Sequence, residues 1–192
     1  MKISKLFVIS LAAMFFSGCA ILNAIIPKVE TPKNAKEFRK IFSLKDKPDN
    51  IVTKKYTINK PYSYVVKRWK KRTAACLKRR VKTTTKHGFG PFANTQVYYD
   101  DYTPKLKIYR KKSELSIQFE RTGDNYSTNA VNPPGGAYFM VLDAYPLKGK
   151  KTRVIEYRWD LPLSNYGVVS KAILNWGAGK STACPDYQKI FG

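Results

Sequence analysis

The sequence predicts an α+β domain: a twisted antiparallel sheet of about five to six strands, with one helix near its start and one at its end packed on its apolar face. Three observations carry this. Apolar residues recur at helical spacing over Tyr62–Leu77 and again over Val169–Trp176. Between these stretches, from Val81 to Trp159, the apolar period is two. The chain of 192 residues is 43% apolar, enough to fill a core despite a formal net charge of +23.

Along the chain, residues 1–18 read as a secretory signal. Lys2 and Lys5 form a cationic start, Leu6–Phe16 is an uncharged run of 11 residues, and Ser17-Gly18 supply small side chains. The run is shorter than the roughly 20 apolar residues of a spanning helix. Phe16-Ser17-Gly18-Cys19 resembles a bacterial lipobox, with Phe16 where Leu is usual. That resemblance implies cleavage before Cys19 and lipidation of Cys19, with an ordinary signal and a chance cysteine as the alternative. Ala20 after the lipidated cysteine implies the outer membrane. Each buried acyl CH₂ contributes about 0.8 kcal/mol, so two or more chains anchor lastingly.

Residues 19–50 read as a lipidated tether, punctuated by Pro27, Pro32 and Pro48. Thr31-Pro32 has the form of an N-cap and first helical residue, and Phe38, Ile41 and Phe42 share a face, so a short amphipathic helix is expected over 32–42. It docks on the domain or touches the membrane.

Residues 51–192 read as the α+β domain. Residues 51–58 form a strand, and a helix follows from Pro61 to about Leu77, with Tyr62, Val65, Val66, Trp69, Thr73, Cys76 and Leu77 on its apolar face. Strands are expected at 81–85, 95–99, around Leu106 and Ile108, and at Leu115–Phe119, the last two joined through Lys111-Lys112 as a hairpin with one apolar face. A polar loop over 122–136 leads to strands at 137–145 and 152–159. In the latter Ile155, Tyr157 and Trp159 read as the apolar side against Glu156 and Arg158. The final helix spans about 165–177 and stops at Gly177 and Gly179. The layout looks like a helix-grip arrangement, in which a sheet wraps a C-terminal helix. Tyr138, Met140, Tyr157 and Trp176 are the candidate lining of an apolar cavity between them, core packing being the plainer role of each.

There are three cysteines. With Cys19 lipidated, Cys76 and Cys184 remain in an oxidising compartment, and a Cys76–Cys184 disulfide is the economical expectation, two buried free thiols being the alternative.

Charge is the strongest remaining signal. From Ile51 to Tyr99 there are 13 lysines and arginines and no acid. A solvated helix face ordinarily mixes signs, because opposite charges four residues apart stabilise it and like charges repel. Lys67, Arg68, Lys70, Lys71, Arg72, Lys78, Arg79 and Arg80 are therefore the candidate anion-binding residues, for phospholipid, lipopolysaccharide or a similar envelope component. A generally basic composition is the plainer explanation. Nucleic acid is not expected: Tyr62 and Trp69 belong to the core stripe, and export removes the usual substrate.

Catalytic parts are scarce. His87 is the sole histidine and reads as a loop residue; there is no GxSxG motif and no spare cysteine. Gly177–Ser181 imitates the end of a P-loop, but Leu174 stands where the first glycine belongs. Adjacent strand residues Asp100 and Asp101 face opposite sides and more simply neutralise nearby lysines. No enzymatic activity, metal or cofactor is expected.

The FSGC signal, YTINKPYSYVVKRW, PPGGAYFMVLDAY and NWGAGKSTACP resemble segments of small uncharacterised lipoproteins of Gram-negative bacteria. The resemblance implies location, bridge and fold, and carries no activity. The sequence-based expectation is an outer-membrane lipoprotein facing the periplasm that binds an anionic or lipidic envelope component through a basic helix face. The alternative is a protein-interaction module of envelope assembly.

Overall fold

A computed structural model describes residues 31–45, 50–87, 94–123, 133–160 and 165–190. The chain divides between Glu30 and Thr31, and every described residue belongs to the second unit, Thr31–Gly192. The signal segment 1–18, Cys19 and the apolar stretch Ala20–Ile26 lie outside the described residues, as do Gly88, Gly90, Pro91 and most of the 122–136 loop.

The first helix, α1 (Ala35–Ile41), begins three residues later than the Thr31-Pro32 pair suggests, because Asn34 is the better cap. Its side-chain oxygen accepts from the N–H groups of Lys36 and Glu37 at 3.0 Å each, and Glu37 accepts from the N–H of Lys33 at 2.8 Å. Phe38 is fully buried against Val141, Tyr138 and Trp159. The helix thus docks on the sheet.

The sheet follows from one crossover. β1 (Ile51–Ile58) leads into α2 (Tyr62–Arg72), which starts directly after Pro61 and ends in a π-helical turn, Thr73–Leu77. The wider turn buries Thr73, Cys76 and Leu77 together. β2 (Arg79–His87), β3 (Asn94–Ile108), β4 (Ser113–Gly123), β5 (Ala137–Leu147) and β6 (Lys151–Trp159) then form a meander. The order is β1-β6-β5-β4-β3-β2, antiparallel at every step. α2 therefore carries the chain from one edge to the other, and the meander returns it beside β1. α3 (Gly167–Ala178) packs next to α2 on the same face, and Gly179, at φ +74°, closes it. The fold is α+β, with a six-stranded sheet and both long helices on one face.

Several elements differ from the sequence-based expectation for identifiable reasons. The strands expected at 95–99 and around Leu106 are one strand, β3, running through Pro104. β2 pairs only as far as Tyr102, so Pro104 lies where β3 is locally an edge and its missing N–H is tolerated. His87 is the last residue of β2, paired with Asn94, rather than a loop residue. The β3–β4 hairpin does not have a single apolar face: Ser113 through Gln118 are all buried, because α1 and the turn after Pro133 cover the outer side.

Face assignment in β5 and β6 is the main correction. Between Ile117↔Met140 and Gln118↔Tyr138 the register shifts, leaving Phe139 as an extra residue. Phe139 and Met140 both join the core under the helices, while Tyr138 turns to the other face and meets Phe38. In β6 the residues buried with Val154 are Thr152, Glu156 and Arg158, whereas Tyr157 packs on the α1 side. Ile155, Tyr157 and Trp159 are thus the outer row, and the charged pair faces α3.

Large side chains pack the space between the sheet and the helices. Trp69, Trp176, Tyr102, Tyr166 and Phe139 are almost wholly buried beneath and between the helices. Of the four expected cavity-lining residues, Met140 and Trp176 are core, while Tyr138 and Tyr157 lie on the opposite face. The helices approach at Gly177, where a Cβ would stand 3.0 Å from Ile58, 3.1 Å from Val65 and 3.2 Å from Trp69 Nε1. The indole of Trp69 also donates to the Ile173 carbonyl at 3.1 Å. Ala is intrinsically better than Gly in a helix by about 1 kcal/mol. Even so, overpacking makes Gly177→Ala a net loss of about 1–2 kcal/mol in urea unfolding. An unchanged midpoint would show slack at this crossing.

Candidate functional site

The predicted cations divide into two groups. Lys67, Lys70, Lys71, Lys78 and Arg79 are exposed, and Arg68 and Arg72 are partly covered. None of these seven has an ion-pair partner among the described residues. The α2 residues wrap its outer side because Val65, Val66 and Trp69 take the inner one. Arg68 has a structural contact as well: its Nε donates to the Trp176 carbonyl at 3.5 Å, at the negative end of α3. Arg80 stands apart, donating to both oxygens of Asp101 at 2.8 and 2.6 Å and lying over the Tyr99 ring. That pairing holds the Asp101 carboxyl below its usual range. Asp100 is fully buried and takes both Arg121 bonds at 2.7 Å on the other face. Arg79, Arg80 and Lys82 border a cleft of about 350 Å³ closed by Pro185, Asp186 and Tyr187.

A second polar region was not foreseen from sequence. Two adjoining clefts, about 330 and 400 Å³, run between β1 and α3 and share Tyr56, Leu174 and Asn175. Beside them Glu156 is completely buried, with one oxygen accepting from Arg158 at 2.7 Å and the other from the Tyr56 hydroxyl at 2.8 Å. Burial, and next the bond to Glu156, push the Tyr56 phenol up to about 12. Arg158 reaches on to Asp160 at 3.4 Å. The available sequence signal was parity: Glu156 and Arg158 alternate in phase with Val154. It was overridden by the larger apolar row beside it.

A third charged cluster lies on the opposite face. Glu114 and Asp143 are paired across β4 and β5, both buried, and Arg39 of α1 reaches them at 2.8 and 3.2 Å. Burial raises the Asp143 carboxyl above its ordinary 3.8.

The Cys76–Cys184 disulfide is present, joining the π-turn after α2 to the segment after α3. That segment is also held by the Tyr187 hydroxyl, which donates to the Cys76 and Leu77 carbonyls at 3.2 and 3.3 Å, and by the Trp176 indole, which donates to the Ala183 carbonyl at 2.7 Å. Gly177–Ser181 is a helix end, in which the Gly179 N–H bonds back to the last turn. Among the described residues no group of three His, Cys, Asp or Glu is placed to hold a metal ion, and no helix is long and apolar enough to cross a membrane. The chain matches no protein-family model, and no curated protein is similar to it.

Proposed function

We propose that the protein is an outer-membrane lipoprotein, anchored through Cys19, that binds an anionic or lipidic envelope component without catalysing a reaction. The observation that carries the binding reading is the unneutralised face of α2 and its continuation: Lys67, Lys70, Lys71, Lys78 and Arg79 are exposed and have no acidic partner among the described residues. Like charges held together on one helix repel, and a phosphate-bearing surface relieves that repulsion. Anchorage to a membrane brings such a surface close.

A chain of residues 19–192 carrying Cys19→Ser, and so free of acyl groups, should bind vesicles containing phosphatidylglycerol and not neutral phosphatidylcholine vesicles. Each lysine near an anionic surface contributes about 1 kcal/mol, so Lys67→Glu/Lys70→Glu/Lys71→Glu should weaken binding by roughly 100-fold or more at low salt. Binding should also fall steeply with ionic strength. Equal binding by the triple variant would overturn the reading.

Exposed Ile108 and Tyr109 at the β3–β4 tip favour the second reading, a protein-interaction module of envelope assembly. A partner held through that apolar tip would stay bound in high salt.

A further inference from the structure

We infer that the end of the domain where the β3–β4 hairpin, the β5–β6 turn and the start of α2 meet is the surface that touches an anionic bilayer, with Ile108 and Tyr109 entering its headgroup layer. The inference deepens the proposed function: it rests on that reading for the membrane and names a contact outside the α2 face.

Strand register places these turns together. Ser113, at the start of β4, pairs with Ile108 on one side and Ala144 on the other, and Leu147 pairs with Lys151 across the β5–β6 turn. The two turns are therefore neighbours at one end of the sheet. β1 finishes there too, with Ile58 opposite Thr152. The chain then enters α2, whose first residue is tied to the hairpin. The Tyr62 hydroxyl lies 2.6 Å from the Ser113 hydroxyl and 3.4 Å from the Tyr109 carbonyl.

Charge at this end is of one sign. Residues 58–62, 107–112 and 147–151 hold eight lysines and arginines and no acid. The acids that follow in β4 and precede in β5, Glu114 and Asp143, are buried and held by Arg39. At the opposite end of the same sheet Glu120 and Asp160 are exposed. An anionic surface therefore draws this end toward it and turns the other away.

Apolar groups stand among the cations. Ile108 is 52% exposed and Tyr109 45%. The Lys112 ammonium is 5.5 Å from the Tyr109 ring centre, and Lys60 stands at the same distance from the ring of Tyr64, which is also exposed. A tyrosine beside a lysine suits the headgroup layer: the ring meets the acyl boundary, while hydroxyl and ammonium stay with water and phosphate. Taken alone, Ile108 and Tyr109 suit a protein partner. Their surroundings do not, because seven of the eight cations are lysines. Lysine is depleted from protein interfaces, whereas each lysine near an anionic bilayer adds to binding.

The test uses the chain of residues 19–192 carrying Cys19→Ser, with vesicles containing phosphatidylglycerol. Amide hydrogen exchange should slow on binding over residues 107–112 and 147–151. Ile108→Ser/Tyr109→Ser should weaken vesicle binding roughly tenfold or more, by a similar factor at low and moderate salt. Lys111→Glu/Lys148→Glu should weaken it at least as much at low salt. All four side chains are exposed, so neither pair disturbs the core. Vesicle binding unchanged by either pair, or slowed exchange confined to α2, overturns this surface and returns Ile108 and Tyr109 to the protein-interaction reading. The two contacts fail separately. Loss with these pairs but not with the triple α2 reversal removes the helix face and leaves this end standing; loss with the triple reversal alone does the opposite.

Discussion

Replacing Arg39 with Met should destabilise the domain by about 3–5 kcal/mol at neutral pH, the usual effect of stranding a buried charge. Arg39 is the basic group within ion-pair distance of both Glu114 and Asp143. These two carboxylates are directly opposed across β4 and β5, with residue exposures of 4% and 1%. Without the guanidinium, like charges face each other in a site water barely reaches. The loss should depend on pH in a definite direction. Burial already raises the Asp143 carboxyl above 3.8, Glu114 pushes the same way, and Arg39 and Lys112 oppose them. A carboxyl whose folded-state value is raised binds its proton more tightly in the folded protein. That contribution to stability is complete below the unfolded value and disappears as pH rises through the folded one. Removing Arg39 raises the folded value further, so the penalty should shrink as pH falls from 7 toward 4. The tyrosines around the pair, Tyr138, Tyr145 and Tyr157, are themselves raised and stay neutral over this range. Urea unfolding of Arg39→Met at several pH values measures this. A pH-independent loss would mean that the contribution of Arg39 is packing alone. Adding Glu114→Gln/Asp143→Asn to the Met variant should recover much of the stability, since the amides carry no charge.

The second large effect belongs to the disulfide. Cys76 and Cys184 are 108 residues apart, and closing a loop of that length stabilises by about 4–5 kcal/mol in the chain-entropy description. The expected loss for Cys76→Ser/Cys184→Ser is somewhat smaller, about 3–4 kcal/mol, because other links hold the same ends together. Tyr187 bonds across the joint to the Cys76 and Leu77 carbonyls without the bridge. The substitution also places a hydroxyl at position 76, which is fully buried. Matched urea melts of the oxidised protein, the reduced protein and Cys76→Ala/Cys184→Ala separate the cross-link from the buried hydroxyl. If the Ala variant and the reduced protein unfold at the oxidised midpoint, the bridge adds nothing.

The fold was legible wherever one physical signal acted alone. The stripe Tyr62–Leu77 read as a buried helix face, and the Cys76–Cys184 bridge followed from counting the two cysteines left after Cys19. Asp100 and Asp101 lie on opposite faces and pair with cations, but the partners are Arg121 and Arg80 and not the lysines expected. Reading failed where two layers compete for one strand. Alternation says which residues share a face but not which face meets the helices. With Phe38 covering the far side, the row Ile155, Tyr157 and Trp159 looked like the core side and was not. The bulge at Phe139 reversed the phase of β5, and its neighbours Tyr138 and Met140 are neither glycine nor proline to mark it. The basic face of α2 was visible in composition. The clefts between β1 and α3 were not, because they depend on Glu156 and Arg158 lying under α3, a long-range fact set by the β1–β6–β5 register.

The strand order fixes a sequence of events in time. β1 has a single neighbour, β6, and Ile51 finds its partner only in Trp159. A polypeptide emerging N-terminus first, from a ribosome or a translocation channel, holds β1 idle until about a hundred further residues have followed. The meander from β2 to β6 can zip as it appears, each strand against the last, but closure waits for the late-arriving β6. Cys76 waits likewise for Cys184. Such a chain becomes a finished domain only when its last strand has emerged.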